Sequence, residues 1–364
     1  MNEKTVVIAM SGGVDSSVAA ALLKEGGHNV IGMMMRLWSE PGSEAENRCC
    51  TIDAMNLARR VAAQLEIPFY AVDAKDIFRE TVVQYFIDGY TQGVTPNPCL
   101  VCNRHIRWEF LLKRALALGA DFMATGHYAR MRQVGSGERG AGSGDIELLK
   151  AIDDHKDQSY VLHVLKQDQL AHALFPLGEY TKPQVRELAR KFELPVAERS
   201  DSQDLCFLGN GTYREFLERN APEVSQPGPM MNTNGEELGQ HQGLAFYTIG
   251  QRRGLGIAAP DPLYVIQKDT SNNALIIGPK EKLGRSNLTA QDVNWIVGFP
   301  PEDPFRAQVK IRYKAQLAWG LVTPLDGNGV HIEFDEPLRD ITPGQAAVFY
   351  DDEVCLGGGI IEYH

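Results

Sequence analysis

The sequence has no long apolar run and few cysteines, and each absence excludes a class of protein. No hydrophobic segment approaches the roughly 20 residues that a membrane span needs, so we expect no membrane association. A strand-like segment follows Met1 almost at once, which leaves no room for a leader peptide and predicts a cytoplasmic protein. Six cysteines in 364 residues are too few for a disulfide scaffold, which favours reactive or metal-binding thiols.

The chain also lacks an excess of positive charge, since its formal net charge is −11. This charge argues against nucleic-acid binding through the field of the whole molecule, but it permits a local basic surface. We expect such a surface to gather basic side chains on one side of the protein. These include Lys156, Arg104, Arg107, Lys310 and Arg312. Binding through them would weaken steeply with salt, because phosphate contacts release counterions.

The most informative segment is Ser-Gly-Gly-Val-Asp-Ser-Ser at residues 11–17, which joins an apolar strand-like run to a helical stretch. Glycines let the backbone approach a ligand, and the helix offers N–H groups and a positive dipole end to a phosphate. The Gly-Lys-Ser/Thr of a Walker loop does not follow. For the glycine pair alone, a capped strand-to-helix turn without a ligand is the alternative interpretation.

The first 212 residues alternate between strand-like and helical segments, which predicts a doubly wound, mostly parallel α/β sheet. The predicted strands are residues 5–10, 29–37, 69–72 and 121–125. One predicted helix follows the first strand and ends near residue 25, and four others span residues 51–65, 77–90, 103–118 and 182–194. Ligands of such sheets bind at the carboxyl ends of strands. Met35 lies near one such end and is either a residue of the hydrophobic core or a contact of an adenine ring. Gly126 and His127 follow another, where His127 is either a hydrogen-bonding residue or a ligand contact.

The pattern changes after residue 212. Residues 213–281 are rich in glycine and short strands and predict a small central domain. Residues 282–364 alternate apolar and polar side chains with period two, which predicts a C-terminal antiparallel β-barrel. Lys310 and Arg312 share one strand face there. That face is either simply solvated or a contact surface for RNA. The predicted domains are therefore 1–212, 213–281 and 282–364.

Two segments carry thiols of interest. Cys99 and Cys102 follow two prolines and precede a helical run, so we expect both near a helix N-terminus that favours thiolate. Cys206 has acidic neighbours, which disfavour thiolate. A C-x-x-C pair commonly binds zinc with a second such pair, and a lone cysteine is commonly a small core residue. The sequence has no second C-x-x-C, and Cys49 and Cys50 are too close together to replace it easily.

Six segments together resemble the bacterial tRNA-specific 2-thiouridylases, a family of PP-loop (N-type) ATP pyrophosphatases. They are SGGVDSS, TPNPCxxCN, ATGHYAR, KDQSYVL, DSQDLCFL and YTIGQRRGL, and the likeness runs from residue 9 to beyond residue 250. The resemblance implies a tRNA sulfurtransferase. It would adenylate the C2 oxygen of the wobble uridine, position 34, and replace that oxygen with sulfur to give 2-thiouridine, AMP and pyrophosphate.

The resemblance also implies roles for individual residues and partners. ATP, with Mg²⁺, would bind at Ala9, Met10, Ser11, Gly12, Gly13, Val14, Asp15, Ser16, Met35 and Gly126. The tRNA would contact Asn97, Pro98, Cys99, His127, Lys156, Asp157, Gln158, Arg312, Tyr313 and Gln345. Cys206 would carry a persulfide received from a cysteine desulfurase or a sulfur-relay protein. Cys102 would act as the nucleophile that forms a disulfide with it. The implied acceptors are the tRNAs for Lys, Glu and Gln.

Cys99 departs from the pattern of much of the family, which has Asp at this position, so the resemblance leaves open whether the proton-transfer or base-contact role of that Asp belongs to Cys99. Cys99, Cys102 and Cys206 could instead hold a four-iron four-sulfur cluster with one open iron for a sulfide, as related tRNA thiolases do. The sequence leaves the persulfide and cluster routes open.

Two other functions fit parts of the pattern. A small-molecule synthetase of the ATP pyrophosphatase class would use the same glycine loop, but it has little need of paired reactive cysteines or a basic-faced barrel. A non-catalytic RNA-binding or metal-sensing module would not need the intact phosphate-binding segment. We therefore expect tRNA thiolation.

Overall fold

The computed structural model describes residues 3–40, 51–135, 145–200, 205–209 and 211–362. These residues form a parallel sheet covered by helices, then a four-stranded sheet, then a closed antiparallel barrel. The fold class predicted from the sequence is confirmed in all three parts.

The described residues of the first part contain seven strands. They are β1 (Thr5–Ala9), β2 (Asn29–Arg36), β3 (Phe69–Asp73), β4 (Phe122–Thr125), β5 (Arg130–Gln133), β6 (Ile146–Leu149) and β7 (Ala173–Leu174). Five of them form the parallel sheet in the order β3-β2-β1-β4-β7. The chain leaves the sheet on opposite sides of β1, so the carboxyl ends of β1 and β4 flank a crevice. The four predicted strands match β1 to β4 within one or two residues.

Helices cover both faces of this sheet. They are α1 (Val14–Glu25), α2 (Ile52–Gln64), α3 (Lys75–Phe78), α4 (Gln84–Thr91), α5 (Pro98–Val101), α6 (Leu112–Ala117), α7 (Ser159–Leu162), α8 (Gln167–Leu170) and α9 (Lys182–Lys191). Wider π turns at Arg79–Val83 and Cys102–Leu111 join neighbouring helices, so the predicted helices 77–90 and 103–118 are helical but not regular α-helix. Val6 and Ile8 pack into one apolar cluster and Val7 into another, as alternation along β1 requires.

The central part consists of one helix and a four-stranded sheet in the order β10-β11-β8-β9. Its elements are α10 (Tyr213–Asn220), β8 (Gly228–Asn232), β9 (Glu237–His241), β10 (Tyr264–Asp269) and β11 (Ala274–Gly278), with 3-10 turns at Pro222–Val224, Leu244–Phe246 and Lys280–Lys282. Val265, Leu275 and Ile277 are fully buried and share a cluster with Phe86 and Phe216. The central part therefore packs directly against helices of the first part.

The barrel has six strands in the order β12-β15-β14-β13-β16-β17, and pairing of β12 with β17 closes it. The strands are β12 (Arg285–Trp295), β13 (Phe305–Lys310), β14 (Ala318–Leu325), β15 (Gly329–Leu338), β16 (Ala346–Asp351) and β17 (Val354–Ile361). Ala307, Val309 and Ile311 point into it, as their period-two spacing predicts. The β5–β6 hairpin adds two strands through pairing of β6 with β17. The first part is thereby joined to the barrel by backbone hydrogen bonds.

Within the described residues, none of the helices combines the length and the apolar character that crossing a bilayer requires.

Candidate active site

The candidate active site begins at residues 9–16, here called the phosphate loop, between β1 and α1. Gly12 has a left-handed φ of +71°, and Gly13 is the N-cap of α1. Gly13 has no side chain to cap the helix, so the first N–H groups of α1 face the loop. The Ser16 hydroxyl accepts from the Ser11 N–H at 3.1 Å and closes the loop on itself. This geometry suits an anion, as the sequence predicts.

Two glycines let other elements touch the phosphate loop. A Cβ atom on Gly126 would lie 2.7 Å from the Ser16 N atom. A Cβ atom on Gly12 would lie 2.3 Å from the Ala54 carbonyl oxygen. Distances this short leave no room for a side chain at either position. The end of β4 and the start of α2 are therefore held directly against the phosphate loop.

Asp15 of the phosphate loop binds two partners from other elements. Lys182 Nζ lies 2.7 Å from Asp15 Oδ1, and the Tyr128 hydroxyl donates to the same oxygen at 2.8 Å. Lys182 is only 8% exposed and is the first residue of α9, where the helix dipole disfavours a cation. The ion pair offsets that cost and fixes an ammonium group beside the phosphate loop.

Arg199 supplies a second cation to the phosphate loop. Its Nη1 atom donates to the Gly12 carbonyl oxygen at 2.7 Å. Arg186 donates in turn to the Arg199 carbonyl at 3.2 Å and fixes the backbone there. Lys182, Arg199 and the dipole of α1 bring more positive charge to the loop than Asp15 neutralises. Such an excess suits a polyphosphate.

Met35 lies one strand away from the phosphate loop. In the parallel register Ala9 pairs with Met33, so Met35 is two residues beyond the end of β1 on its neighbour β2. Its side chain is half-buried against two apolar clusters. This position allows both interpretations, a core residue and an adenine contact.

Cys99 and Cys102 lie at the start of the helical segment that begins at Pro98, as predicted. Asn97 is the N-cap, and its Oδ1 atom accepts from the Cys99 N–H at 3.1 Å. Cys99 is exposed and Cys102 is half-buried. Asn97 thus caps the segment that carries both thiols and fixes where it starts.

The segment that leads to these thiols is held from two sides. Lys268 of β10 donates to the Gly93 carbonyl oxygen at 2.9 Å. Lys268 is 2% exposed, and this burial lowers its pKa to about 7. From the barrel, Gln345 Nε2 donates to the Thr95 carbonyl oxygen at 2.8 Å. The central part and the barrel therefore both position the thiol-bearing helix.

His127 links that helix to the end of β4. Arg107 Nη1 lies 2.8 Å from His127 Nε2, and because arginine can only donate, Nε2 accepts. Nδ1 then carries the proton and donates to Thr125 Oγ1 at 2.8 Å. Burial, together with the charge of Arg107, holds the pKa of His127 well below its ordinary value, so the ring is neutral. His127 was predicted to contact tRNA; it is 5% exposed, and both ring nitrogens are in internal hydrogen bonds.

Asp157 and its neighbours Lys156 and Gln158 precede α7. Asp157 is buried, and its Oδ1 atom accepts from the N–H groups of Ala151 and Ser159, each at 3.1 Å. The Gln158 side chain accepts from the N–H of Tyr128 at 2.9 Å. Lys156 is half-buried. Two of these three predicted tRNA contacts thus also fix the backbone around the site.

Arg312 and Tyr313 lie just beyond the end of β13 of the barrel. Burial raises the pKa of Tyr313, and the charge of Asp157 raises it further. Arg312 Nη2 lies 2.5 Å from Asp340 Oδ2. Of the basic residues expected on one surface, Arg107 contacts the buried His127 instead.

Cys206 is half-buried and packs, like Cys102, against the apolar cluster around Phe86 and Phe216. Residues 201–204, which precede it in its motif, lie outside the described residues, as do Cys49 and Cys50. In the part of the chain that the structure describes, no three His, Cys, Asp or Glu side chains are grouped as metal ligands require.

Three groups at the phosphate loop were not singled out from the sequence. Tyr128 lies inside a recognised motif, but Lys182 and Arg199 are 167 and 187 residues from their partners in the chain. Lys182 does have a detectable local signal, since a lysine directly after a helix N-cap opposes the dipole and suggests a bound anion. Arg199 has no comparable signal.

Three family profiles match the chain in succession. The tRNA methyl transferase HUP domain matches residues 4–210, the tRNA methyl transferase PRC-barrel domain matches residues 214–279, and the aminomethyltransferase β-barrel domain matches residues 285–361. Among solved structures, a 4-thiouridine synthetase–RNA complex with bound ATP covers 60% of this chain and 51% of its own at 17% identity. Its TM-score is 0.37.

Curated relatives match over nearly the whole length. The tRNA-specific 2-thiouridylase MnmA of Roseiflexus castenholzii is 48% identical over 365 residues, which cover 98% of each chain. The protein of that name from Moorella thermoacetica is 48% identical over 358 residues, covering 98% of this chain and 99% of its own. The one from Clostridium perfringens is 43% identical over 364 residues, covering 100% and 99%. At this identity and coverage, the chain belongs to the family of the tRNA-specific 2-thiouridylases MnmA.

Proposed function

We propose that this chain is a tRNA-uridine 2-sulfurtransferase that uses ATP to convert the wobble uridine of tRNA to 2-thiouridine. The observation that carries the proposal is the hydrogen-bond link from the thiol-bearing helix through Arg107 and His127 to the end of β4, beside the phosphate loop. That link supports a single active site that combines a nucleotide site with a thiol site. A small-molecule synthetase would need only the first of these.

ATP enters as its magnesium complex at the phosphate loop and Gly126, with Met35 at the adenine. Lys182 and Arg199 add positive charge beside the α1 N-terminus, where the β- and γ-phosphates would lie. The uridine O2 atom attacks the α-phosphorus, the Pα–O bond to pyrophosphate breaks, and the N3 proton is lost. An oxygen that leaves poorly from carbon becomes part of AMP, which leaves well.

Sulfur transfer then follows the persulfide route. The terminal sulfur of a Cys206 persulfide attacks C2, and the C2–O bond breaks with its electron pair on AMP. The Cys102 thiolate attacks Cys206 Sγ, which releases the other sulfur to C2 and forms a Cys102–Cys206 disulfide. A proton returns to N3 to give 2-thiouridine. An external dithiol reductant must reduce the disulfide, and a cysteine desulfurase or sulfur-relay protein must reload Cys206.

Cys102 and Cys206 both pack against the apolar cluster around Phe86 and Phe216, which supports a route that uses these two thiols as a pair. We assign Cys99 no step in it. Its exposure at the start of the thiol-bearing helical segment suits a contact with the extruded base. Protein purified without oxygen should then contain no iron and no acid-labile sulfide.

The tRNA would lie across the barrel and the thiol segment. Its contacts there are Asn97, Pro98, Cys99, Lys156, Arg312, Tyr313 and Gln345. His127, Asp157 and Gln158 would act on the tRNA through the backbone that they hold. We assign the catalytic domain to residues 1–212, the central domain to 213–281 and the barrel to 282–364. The acceptors would be the tRNAs for Lys, Glu and Gln, in the cytoplasm.

The direct test is Cys206→Ser. This variant should make no 2-thiouridine while it still binds ATP and still releases pyrophosphate when tRNA is added. A matched control is Cys355→Ser, because Cys355 is a fully buried thiol whose pKa burial raises. Full thiolation by Cys206→Ser would refute the assignment.

A further inference from the structure

Arg107 is a half-buried cation at the junction of the two halves of the active site. Its hydrogen-bond partners are His127 Nε2 at 2.8 Å and, more weakly, Asn103 Oδ1 at 3.5 Å. Both partners are neutral. Over the residues that the structure describes, no carboxylate forms an ion pair with Arg107. A charge that is partly removed from water without a counter-ion is costly, which points to an anion that arrives during the reaction.

The donor geometry of Arg107 supports this. Both contacts use Nη1, so in the described part of the chain the Nε and Nη2 N–H groups make no hydrogen bond within the protein. These groups form the parallel fork with which arginine binds a phosphate through two oxygens. Because His127 is neutral and accepts, it orients the fork without cancelling its charge.

The location of Arg107 identifies which phosphate this would be. On one side, His127 directly follows Gly126, which touches the first turn of α1 at the phosphate loop. On the other side, Asn103 Nδ2 donates to the Cys99 carbonyl oxygen at 3.0 Å. Arg107 thus lies between the nucleotide and the thiol that act on the same uridine. The group that these two sites share is the α-phosphate.

We propose that Arg107 is a further catalytic residue that binds the α-phosphate of the adenylated uridine and holds it as AMP leaves. This inference rests on the proposed function. When the C2–O bond breaks, its electron pair passes to the phosphate oxygen, so negative charge grows on the group that Arg107 contacts. A cation fixed in advance beside that oxygen stabilises the transition state of sulfur transfer. Asn103 and His127 are positioning residues for it.

The test compares Arg107→Gln, Arg107→Lys and Arg114→Gln with the unaltered protein. Arg114 is the matched control, since it lies on the same helical segment and its guanidinium stacks on Phe110 at 3.5 Å. The first readout is equilibrium binding of AMP alone, measured by calorimetry. The second is 2-thiouridine formed in a single turnover, and the third is tRNA binding without nucleotide.

Loss of a charge-assisted bond to phosphate should weaken AMP binding by Arg107→Gln roughly tenfold to hundredfold. Single-turnover thiolation should fall by roughly 10² or more. Arg107→Lys should regain part of both, and Arg114→Gln should match the unaltered protein. Unchanged AMP binding by Arg107→Gln would overturn the proposal, even if thiolation were lost. Weaker tRNA binding with unchanged AMP binding would assign Arg107 to a tRNA backbone phosphate instead, which also overturns it.

The AMP measurement separates this inference from the proposed function. AMP binding needs neither tRNA nor a sulfur donor. If the unaltered protein made no 2-thiouridine, thiolation would be refuted. If Arg107→Gln still bound AMP more weakly than that protein, the assignment of Arg107 to the phosphate would stand. The Arg107→Lys variant keeps the test valid if Arg107→Gln does not fold, because it retains the charge.

Discussion

Gln345 Nε2 donates to the carbonyl oxygen of Thr95 at 2.8 Å, across 250 residues of sequence. Thr95 opens the segment that carries Cys99 and Cys102, and Gln345 lies just before β16 of the barrel. The adjacent Gly344 has a left-handed φ of +88° and touches the backbone of Thr95. The barrel therefore fixes the thiols as well as offering a surface to tRNA.

Gly344→Ala should lower kcat/KM for thiolation by roughly tenfold or more, because its Cβ atom would lie 3.0 Å from the Thr95 carbonyl carbon and move the thiol segment. Gly327→Ala is the matched control. Gly327 has a similar φ of +93°, but it has open space around it. Both substitutions strain the backbone, and only Gly344→Ala should change thiolation. Equal thiolation by the two variants would show that the barrel does not position the thiols.

Lys182→Gln should raise the KM for ATP roughly tenfold to hundredfold, because Asp15 would lose its counter-ion and repel the triphosphate. Lys191→Gln is the control on the same helix. Its ion pair with Glu25 at 3.2 Å is exposed on both sides and distant from the phosphate loop. The measurement is tRNA-dependent pyrophosphate release against ATP concentration. A KM for Lys182→Gln equal to that of Lys191→Gln would remove Lys182 from the ATP site.

Burial of Lys268 makes stability depend on pH. Its pKa is about 7 in the folded protein and 10.5 ordinarily, so between these values the unfolded chain holds a proton that the folded chain lacks. Stability therefore rises with pH across this window, by at most about 1.4 kcal/mol per pH unit from this group. The loss of folding stability is greatest below pH 7, where folding buries the Lys268 side chain as a charged ammonium group.

Lys268→Met should flatten that rise when urea unfolding is compared at pH 7, 8 and 9. Lys280→Met, at an exposed lysine, should keep the slope of the unaltered protein. A slope for Lys268→Met that matches the unaltered protein would mean that Lys268 is not the titrating group.

The sequence predicts those features that local pattern determines. The strands β1 to β4, the glycine loop and the thiols at a helix N-terminus each follow from residues that are neighbours in the chain. The pairing of Lys182 with Asp15, of Arg199 with Gly12 and of Gln345 with Thr95 depends on tertiary packing over 167, 187 and 250 residues. The burial of His127 likewise depends on how the helix of Arg107 packs against β4. No local pattern reports such contacts.

The central claim is tested most directly by nucleoside mass spectrometry. Unmodified tRNA would be incubated without oxygen with this protein, ATP with magnesium, a cysteine desulfurase with cysteine, and a dithiol reductant, using iron-free protein. The account predicts 2-thiouridine, formed together with AMP and pyrophosphate and absent with Cys206→Ser. If iron-free protein gave no thionucleoside while iron-reconstituted protein did, the persulfide route would be contradicted. If neither preparation gave any, and pyrophosphate release did not depend on tRNA, the assignment of tRNA thiolation itself would be contradicted.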